Sequence, residues 1–328
     1  MNVNGFAVKV HFLGTSSGSP SKQRNMSATA VSFDTTKAWL LVDCAEGTQH
    51  ALLHSNLSLH HLEAICISHL HGDHCYGLPG LLSSMAMNGR TQPLRLIAPQ
   101  AVIAFVMHCF SLTQVKLGFD LITEALEHLS DDIELSVAKV EMIVLKHRVA
   151  SVGFKFTERN IPRKLRLAKL KQQGIASGSH FNALQKGHDV EYQGQRLYAQ
   201  QYTFYSWRPR VVIICGDNEK PALLSNHVDN IDLLVHEATF TTADLHQVGF
   251  HTGHSDAKRV AQFAEHTRIP RLALTHFSVR YHGPGSLQPL IAEAKSHYSG
   301  ELIIAEDGAI YDIAKVKQSE EDEQRSAT

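Results

Sequence analysis

The chain has 328 residues, 43% hydrophobic and 19% charged, with a formal net charge of −1. That balance fits a globular α/β protein with ample length for a buried core; it excludes extended disorder and any global basic field, so affinity for nucleic acid has to come from a local patch. Five scattered cysteines without a Cys-x-x-Cys pair exclude a disulfide framework or a thiolate metal site. No apolar run approaches the ~20 residues that span a bilayer, so a cytoplasmic protein without a membrane partner is expected.

Phe6 to Leu13 alternates and runs into Gly14-Thr15-Ser16-Ser17-Gly18-Ser19-Pro20, which predicts a strand feeding a small-residue loop open to close backbone approach. Thr29 to Phe33 and Trp39 to Val42 predict a hairpin across Asp34, with Asp43 at the end of its second strand. A short helix over Gln49 to Leu53 leads to the apolar run Ala64 to Ile67. Directly after it comes Ser68-His69-Leu70-His71-Gly72-Asp73-His74, with three histidines and a carboxylate in six positions. Imidazole nitrogens and carboxylate oxygens suit zinc or a similar first-row divalent ion. Helices are expected at Leu78 to Met87 and Gln100 to Phe110, and strands at Leu94 to Ala98 and within Ile133 to Leu145, after which His147 appears.

The stretch from Arg159 to Lys186 carries seven basic residues (Arg159, Arg163, Lys164, Arg166, Lys169, Lys171 and Lys186) and no Asp or Glu. It predicts an arm over about residues 158–188 with a flexible tip at Gly174 to Gly178 and a poorly developed core; a solvated basic surface is the plain alternative. Strand and helix then alternate again. Arg210 to Cys215 ends in Gly216-Asp217, Asp232 to Val235 in His236-Glu237, and Arg271 to Leu274 in Thr275-His276, with helices expected at Asp256 to Glu265 and Leu287 to His297. The acidic tail from Gln318 to Thr328 reads as a disordered end after a single domain over residues 1–317.

Five apolar runs thus end on Asp43, His69, Asp217, Glu237 and His276, and a sixth ends beside His147. In layered α/β structures chemistry gathers at the carboxyl ends of strands, where the scaffold is rigid and loops supply side chains.

These residues carry a resemblance. The His-x-His-x-Asp-His cluster with His147, Asp217 and His276 resembles the metallo-β-lactamase superfamily, which implies an αββα sandwich. Phe12-Leu13-Gly14-Thr15, Arg24-Asn25, Val42-Asp43-Cys44-Ala45-Glu46-Gly47-Thr48-Gln49, His236-Glu237-Ala238-Thr239 and Gly253-His254-Ser255 resemble the ribonuclease Z family, the tRNA 3′-processing endonucleases. The resemblance implies two zinc ions, or other divalent metals, with His69, His71 and His147 on the first, Asp73, His74 and His276 on the second, and Asp217 between them. It implies that Asp73 accepts the proton of the attacking water, that His254, polarised by Glu237, protonates the departing ribose oxygen, and that Asp43 supports the ligands from behind. It further implies precursor tRNA as substrate, a homodimer, and an arm whose Arg163, Lys164, Arg166, Lys169 and Lys171 grip the RNA backbone.

Three departures stand against the family pattern. The arm tip reads Gly174-Ile175-Ala176-Ser177-Gly178-Ser179, where a Pro/Gly-rich tip is usual. Asn218 follows Asp217 and Asp256 follows Ser255, in each case where the family pattern has Thr. The last two are expected to set an amide and a carboxylate near the substrate, where the added charge repels phosphate. They keep open a hydrolase of small phosphodiesters or sulfate esters on the same fold. An idle RNA-binding protein is a third and weaker alternative.

Overall fold

The first apolar run forms β1 (Ala7–Gly14), and the expected hairpin forms β2 (Ala28–Ser32) and β3 (Trp39–Val42). The computed structural model, which describes residues 7–317, continues through α1 (Thr48–Leu53), β4 (Leu62–Cys66), α2 (Gly72–Cys75), α3 (Leu78–Met87), β5 (Leu94–Ala98), α4 (Gln100–Thr113) and β6 (Leu121–Ala125). β3 to β6 run parallel, so each connection crosses over by way of a helix.

The second sheet opens with β7 (Ile133–Glu134), β8 (Ala138–Leu145) and β9 (Ser151–Glu158). The chain then leaves the sheet to build β10 (Arg163–Leu165), α5 (Leu167–Gln172), α6 (Ser179–Gln185), β11 (Val190–Tyr192), β12 (Gln195–Leu197), α7 (Ala199–Tyr202) and β13 (Thr203–Tyr205). It returns as β14 (Val211–Cys215), β15 (Leu233–Glu237), α8 (Thr242–Val248), α9 (Ala257–His266), β16 (Arg271–Thr275), α10 (Gln288–Lys295) and β17 (Glu301–Ile304). Finally β18 (Ile310–Ala314) crosses back to pair antiparallel with β1. The sheet orders are β18-β1-β2-β3-β4-β5-β6 and β17-β16-β15-β14-β9-β8-β7. β14 to β17 run parallel, like β3 to β6.

Three apolar layers make this an αββα sandwich. Phe12, Val31 and Leu40 meet Phe154, Phe156 and Val212 between the sheets. The outward side chains Leu41, Ile65 and Leu96 pack on Leu78, Leu82 and Val106 of α3 and α4, and Ile213, Leu234 and Leu272 pack on Val260, Ala264 and Leu290 of α9 and α10. Strands covered on both faces read as unbroken apolar runs, which is why Trp39 to Val42 and Val211 to Cys215 show no alternation. One ion network crosses between the sheets: the buried Arg210 donates from Nε to Glu158 Oε2 at 2.8 Å and from Nη2 to Asp34 Oδ1 at 2.7 Å.

The excursion between β9 and β14 is larger than expected. It continues past residue 188 to β13, which pairs with β10, and a second two-stranded sheet joins β11 to β12. Leu170, Leu184, Leu197, Ala199 and Tyr202 bury their side chains together, so the arm has a core of its own where a poorly developed one was expected. Among the described residues no helix is long and apolar enough to cross a membrane. The acidic tail, residues 318–328, lies outside the described residues.

Candidate metal centre and active site

The parallel strands of both sheets present their carboxyl ends to one region, and the expected residues gather there. His69 follows β4, Asp43 follows β3, Asp217 follows β14, and His276 follows β16, while His147 stands just beyond β8. Glu237 is the last residue of β15 itself. Asp43 and His276 both turn the chain with φ of 58°, a left-handed conformation uncommon outside glycine and a local strain of the kind seen at functional sites.

Asp217 is the centre of the arrangement. Its Oδ2 lies 3.6 Å from His69 Nε2 and 3.6 Å from His147 Nε2, while Oδ1 lies 3.5 Å from His74 Nε2 and 3.4 Å from His276 Nε2. His71 Nδ1 is 3.1 Å from His69 Nε2 and 3.2 Å from His147 Nε2, which completes the first group. Asp73 Oδ2 completes the second, 3.5 Å from His276 Nε2 and 3.7 Å from His74 Nε2. Ligands at ~2.0–2.1 Å from a tetrahedral zinc stand about 3.3–3.4 Å apart, and these separations cluster around that edge.

The groups behind the ligands fix their protonation. Ser68 Oγ donates to Asp43 Oδ2 at 2.9 Å, so its oxygen is left to accept from His69 Nδ1 at 3.0 Å. Thr239 Oγ1 donates to Glu237 Oε2 at 2.5 Å and likewise accepts from His276 Nδ1 at 3.1 Å. His74 Nδ1 donates to Asp43 Oδ2 at 2.7 Å, and His147 Nδ1 to the Gly253 carbonyl at 2.8 Å. With Nδ1 as the donor in all four rings, the four Nε2 atoms turn toward the carboxylates of Asp73 and Asp217. Such a donor set fits divalent cations, with each imidazole oriented by an oxygen behind it.

Electrostatics point the same way. Burial opposes the charge on Asp217, yet the imidazoles of His276, His74 and His69 hold its carboxyl well below the usual range. Burial also opposes protonation of His74, but Asp217 and Asp43 pull its pKa up to about 10. The carboxylates therefore demand positive charge at this spot, which a metal supplies in place of protons.

His254 sits beside the ligands. Its Nδ1 is 3.2 Å from Glu237 Oε1, and although burial disfavours the charged ring, Glu237 and Asp217 raise its pKa to about 9. Glu237 is held in turn by the Asn218 and Ser255 amides at 3.0 and 3.2 Å. The small-residue loop after β1 does reach the site, where the Gly18 amide donates to Asp73 Oδ2 at 2.8 Å. Above lies an open cleft of about 370 Å³ bordered by Gly18, His71, Asp73, Tyr76, Arg148 and His254.

Thr239, Ser68 and the Gly253 carbonyl are functional groups that ligand-type reasoning passes over. Gly253 is constrained by the structure itself: its φ is +74°, and a Cβ there would meet His147 Nδ1 at 2.9 Å.

Two expectations are corrected. Asp256 is buried as the N-cap of α9; its Oδ1 accepts from the Arg259 amide at 2.8 Å and its Oδ2 from Arg259 Nε at 2.6 Å, so its charge is neutralised inside the protein. Asn218 is fully buried, and its Nδ2 donates to His236 Nε2 at 3.0 Å. Neither confronts a phosphate.

Of the arm candidates, Lys164 and Lys171 are exposed, whereas Arg166 is buried. Arg163 lies over the Tyr205 ring at 4.2 Å and donates to its hydroxyl at 2.7 Å, and Lys169 donates to the Gln201 carbonyl at 3.1 Å.

The chain is similar to known proteins over nearly all its length. The family model for the anti-Pycsar protein Apyc1 matches residues 8–159. Ribonuclease Z of Pseudomonas putida strain GB-1 is 46% identical over 308 residues, covering 93% of this chain and 96% of the relative. Ribonuclease Z of Shouchella clausii is 35% identical over 327 residues, covering 96% and 100%. Among solved structures, the short form of human tRNase Z aligns with a TM-score of 0.63 at 25% identity, covering 93% of this chain and 99% of that one. The metallo-beta-lactamase fold protein YhfI from Bacillus subtilis aligns with a TM-score of 0.64 at 19% identity, with the same coverage.

Proposed function

Because the chain belongs to the ribonuclease Z family, and is a metal-dependent endoribonuclease of the 3′ end of precursor tRNA, we propose that it works through two zinc ions held on either side of Asp217. The observation that carries this reading is the division of the ligands. One oxygen of Asp217 faces His69 and His147, with His71 beside them, and the other faces His74 and His276, with Asp73 closing the set. When bound, two such ions supply Lewis-acid stabilisation to the charge that develops on a phosphodiester under attack.

The chain's own groups manage the protons. Asp73, anchored by the Gly18 amide, is placed to accept the proton of the attacking water as its oxygen adds to phosphorus. As the bond from phosphorus to the ribose 3′ oxygen breaks, His254 donates a proton to that oxygen, so the tRNA leaves with a 3′-hydroxyl and the trailer with the phosphate. Glu237 keeps His254 charged and turned for this transfer. Asp43, Thr239 and the Gly253 carbonyl hold the imidazoles in the one tautomer that offers Nε2. Exposed Lys164 and Lys171 on the arm suit phosphate contacts far from the cut. A cytoplasmic homodimer completes the reading, and light scattering of the purified protein tests the dimer.

The deciding experiment offers the protein a trailer-bearing tRNA precursor and a chromogenic phosphodiester. The precursor is expected to be cut after the discriminator nucleotide. His254→Ala should slow that cut by roughly 10²–10⁴-fold with both metals retained. Cleavage of the small ester alone would overturn the proposal, and loss of metal from His254→Ala would reassign that residue.

A further inference from the structure

We propose that Tyr76 is a stacking platform for a nucleobase flanking the scissile phosphodiester, an assignment that rests on the tRNA-processing reading above. Tyr76 directly follows α2, the short helix that carries Asp73 and His74, so its position is tied to the metal ligands. Its side chain borders the open cleft, yet it is 62% exposed, an uncommon setting for a large ring in a molecule whose other aromatic residues mostly fill its cores.

The ring nonetheless has neighbours on two sides. Gly72 lies so close beneath it that a Cβ there would meet ring atoms of Tyr76 at 2.1 to 2.6 Å, and only glycine leaves room for the ring over this backbone. On another side it leans on Phe105 of α4, with centroids 5.9 Å apart and planes at 45°. A tyrosine packed from below and from the side, with much of its surface open to solvent, is placed to receive a flat partner. The cleft border also carries the exposed guanidinium of Arg148, adjoining His147. Metal ligands at the floor, a cation on one border and an exposed aromatic ring on another match the parts of a nucleotide: reacting phosphate, neighbouring phosphate and base. A small alkyl ester has no base to lay on the ring.

Stacking on an aromatic side chain is worth ~1–3 kcal/mol per base, so Tyr76→Ala should raise KM for the tRNA precursor roughly 5- to 150-fold. Its metal content should match wild type, and Tyr76→Phe should behave as wild type on the precursor, because the ring and not the hydroxyl does the binding. A precursor with 2-aminopurine on either side of the cleavage point, bound to the slow His254→Ala protein, should lose fluorescence at one of the two positions. Adding Tyr76→Ala should restore it. Unchanged KM and unchanged quenching in Tyr76→Ala would overturn the platform while leaving the tRNA-processing reading intact. Wild-type protein that fails to cut the precursor would overturn that reading and the platform with it. If Tyr76→Phe showed the defect of Tyr76→Ala, a hydroxyl contact would replace stacking.

Discussion

Thr239 joins the two halves of the chemistry through a single hydroxyl. Its proton goes to Glu237, which also holds His254, and its oxygen orients His276. Replacing it with Val keeps the shape but removes both bonds, so His276 can rotate or change tautomer. Groups placed like this typically contribute 10–100-fold to metal affinity, and competition with a chelator should show a loss in that range for Thr239→Val. Unchanged affinity would reduce the hydroxyl to a packing role. At this scale the convergence of the candidate ligands was legible because they are chemically distinctive residues placed at or just beyond the ends of apolar runs. Thr239 and Ser68 were not legible as functional groups, since a hydroxyl two residues from one carboxylate has no spacing that separates it from any other. Asp256 was misread although its signal was present: Asp immediately before an amphipathic run, three residues from Arg259, is the pattern of an N-cap.

Among the elements, the arm shows best what composition can and cannot convey. The run of positive charge was visible, and it lies on the excursion from the second sheet. Composition did not reveal that Arg163, Arg166 and Lys169 serve the arm's own packing, because β10 and β13 come together only across a sequence separation of 40 between Arg163 and Thr203. The two roles separate by mutation. Replacing exposed Lys164 and Lys171 with Ala should weaken tRNA binding and flatten its dependence on salt by up to about two phosphate contacts, with the fold unchanged. Leu184→Ala should instead open the arm core at a cost of ~2–5 kcal/mol, seen as faster local hydrogen exchange, while hydrolysis of a small ester persists. An unaltered salt slope in the lysine double variant would return those residues to plain surface. Strands β9 and β18 lay outside the sequence expectations for different reasons. The alternation Val152, Phe154, Phe156 does mark β9, whereas β18 is mostly exposed and takes its place by pairing with β1 from the far end of the chain.

Across the whole molecule, the sandwich brings the carboxyl ends of two parallel strand sets to one place, and that convergence is what turns scattered residues into a site. The same packing has a cost in acid. His11 on β1 is buried beside Ser32 of β2, with its Nε2 2.9 Å from the hydroxyl, and burial with nearby Lys9 lowers its pKa from 6.5 to about 4. Above pH 6.5 the ring is neutral in both folded and unfolded chains. As pH falls from there toward 4 the unfolded chain takes up a proton that the folded chain refuses, so stability is lost across that window, on the order of 2–3 kcal/mol for this group. His11→Gln should flatten the fall of urea stability between those pH values; an identical slope would show that other groups govern it.

The proposed mechanism requires that the buried carboxylate of Asp217 stand between two metals, each with three further ligands of its own. Anomalous diffraction at the zinc edge from crystals of the purified protein tests it most directly. Two peaks are expected, one among His69, His71 and His147 and one among Asp73, His74 and His276, with the carboxylate of Asp217 between them. A single peak, or density that leaves Asp217 to one side, would contradict it.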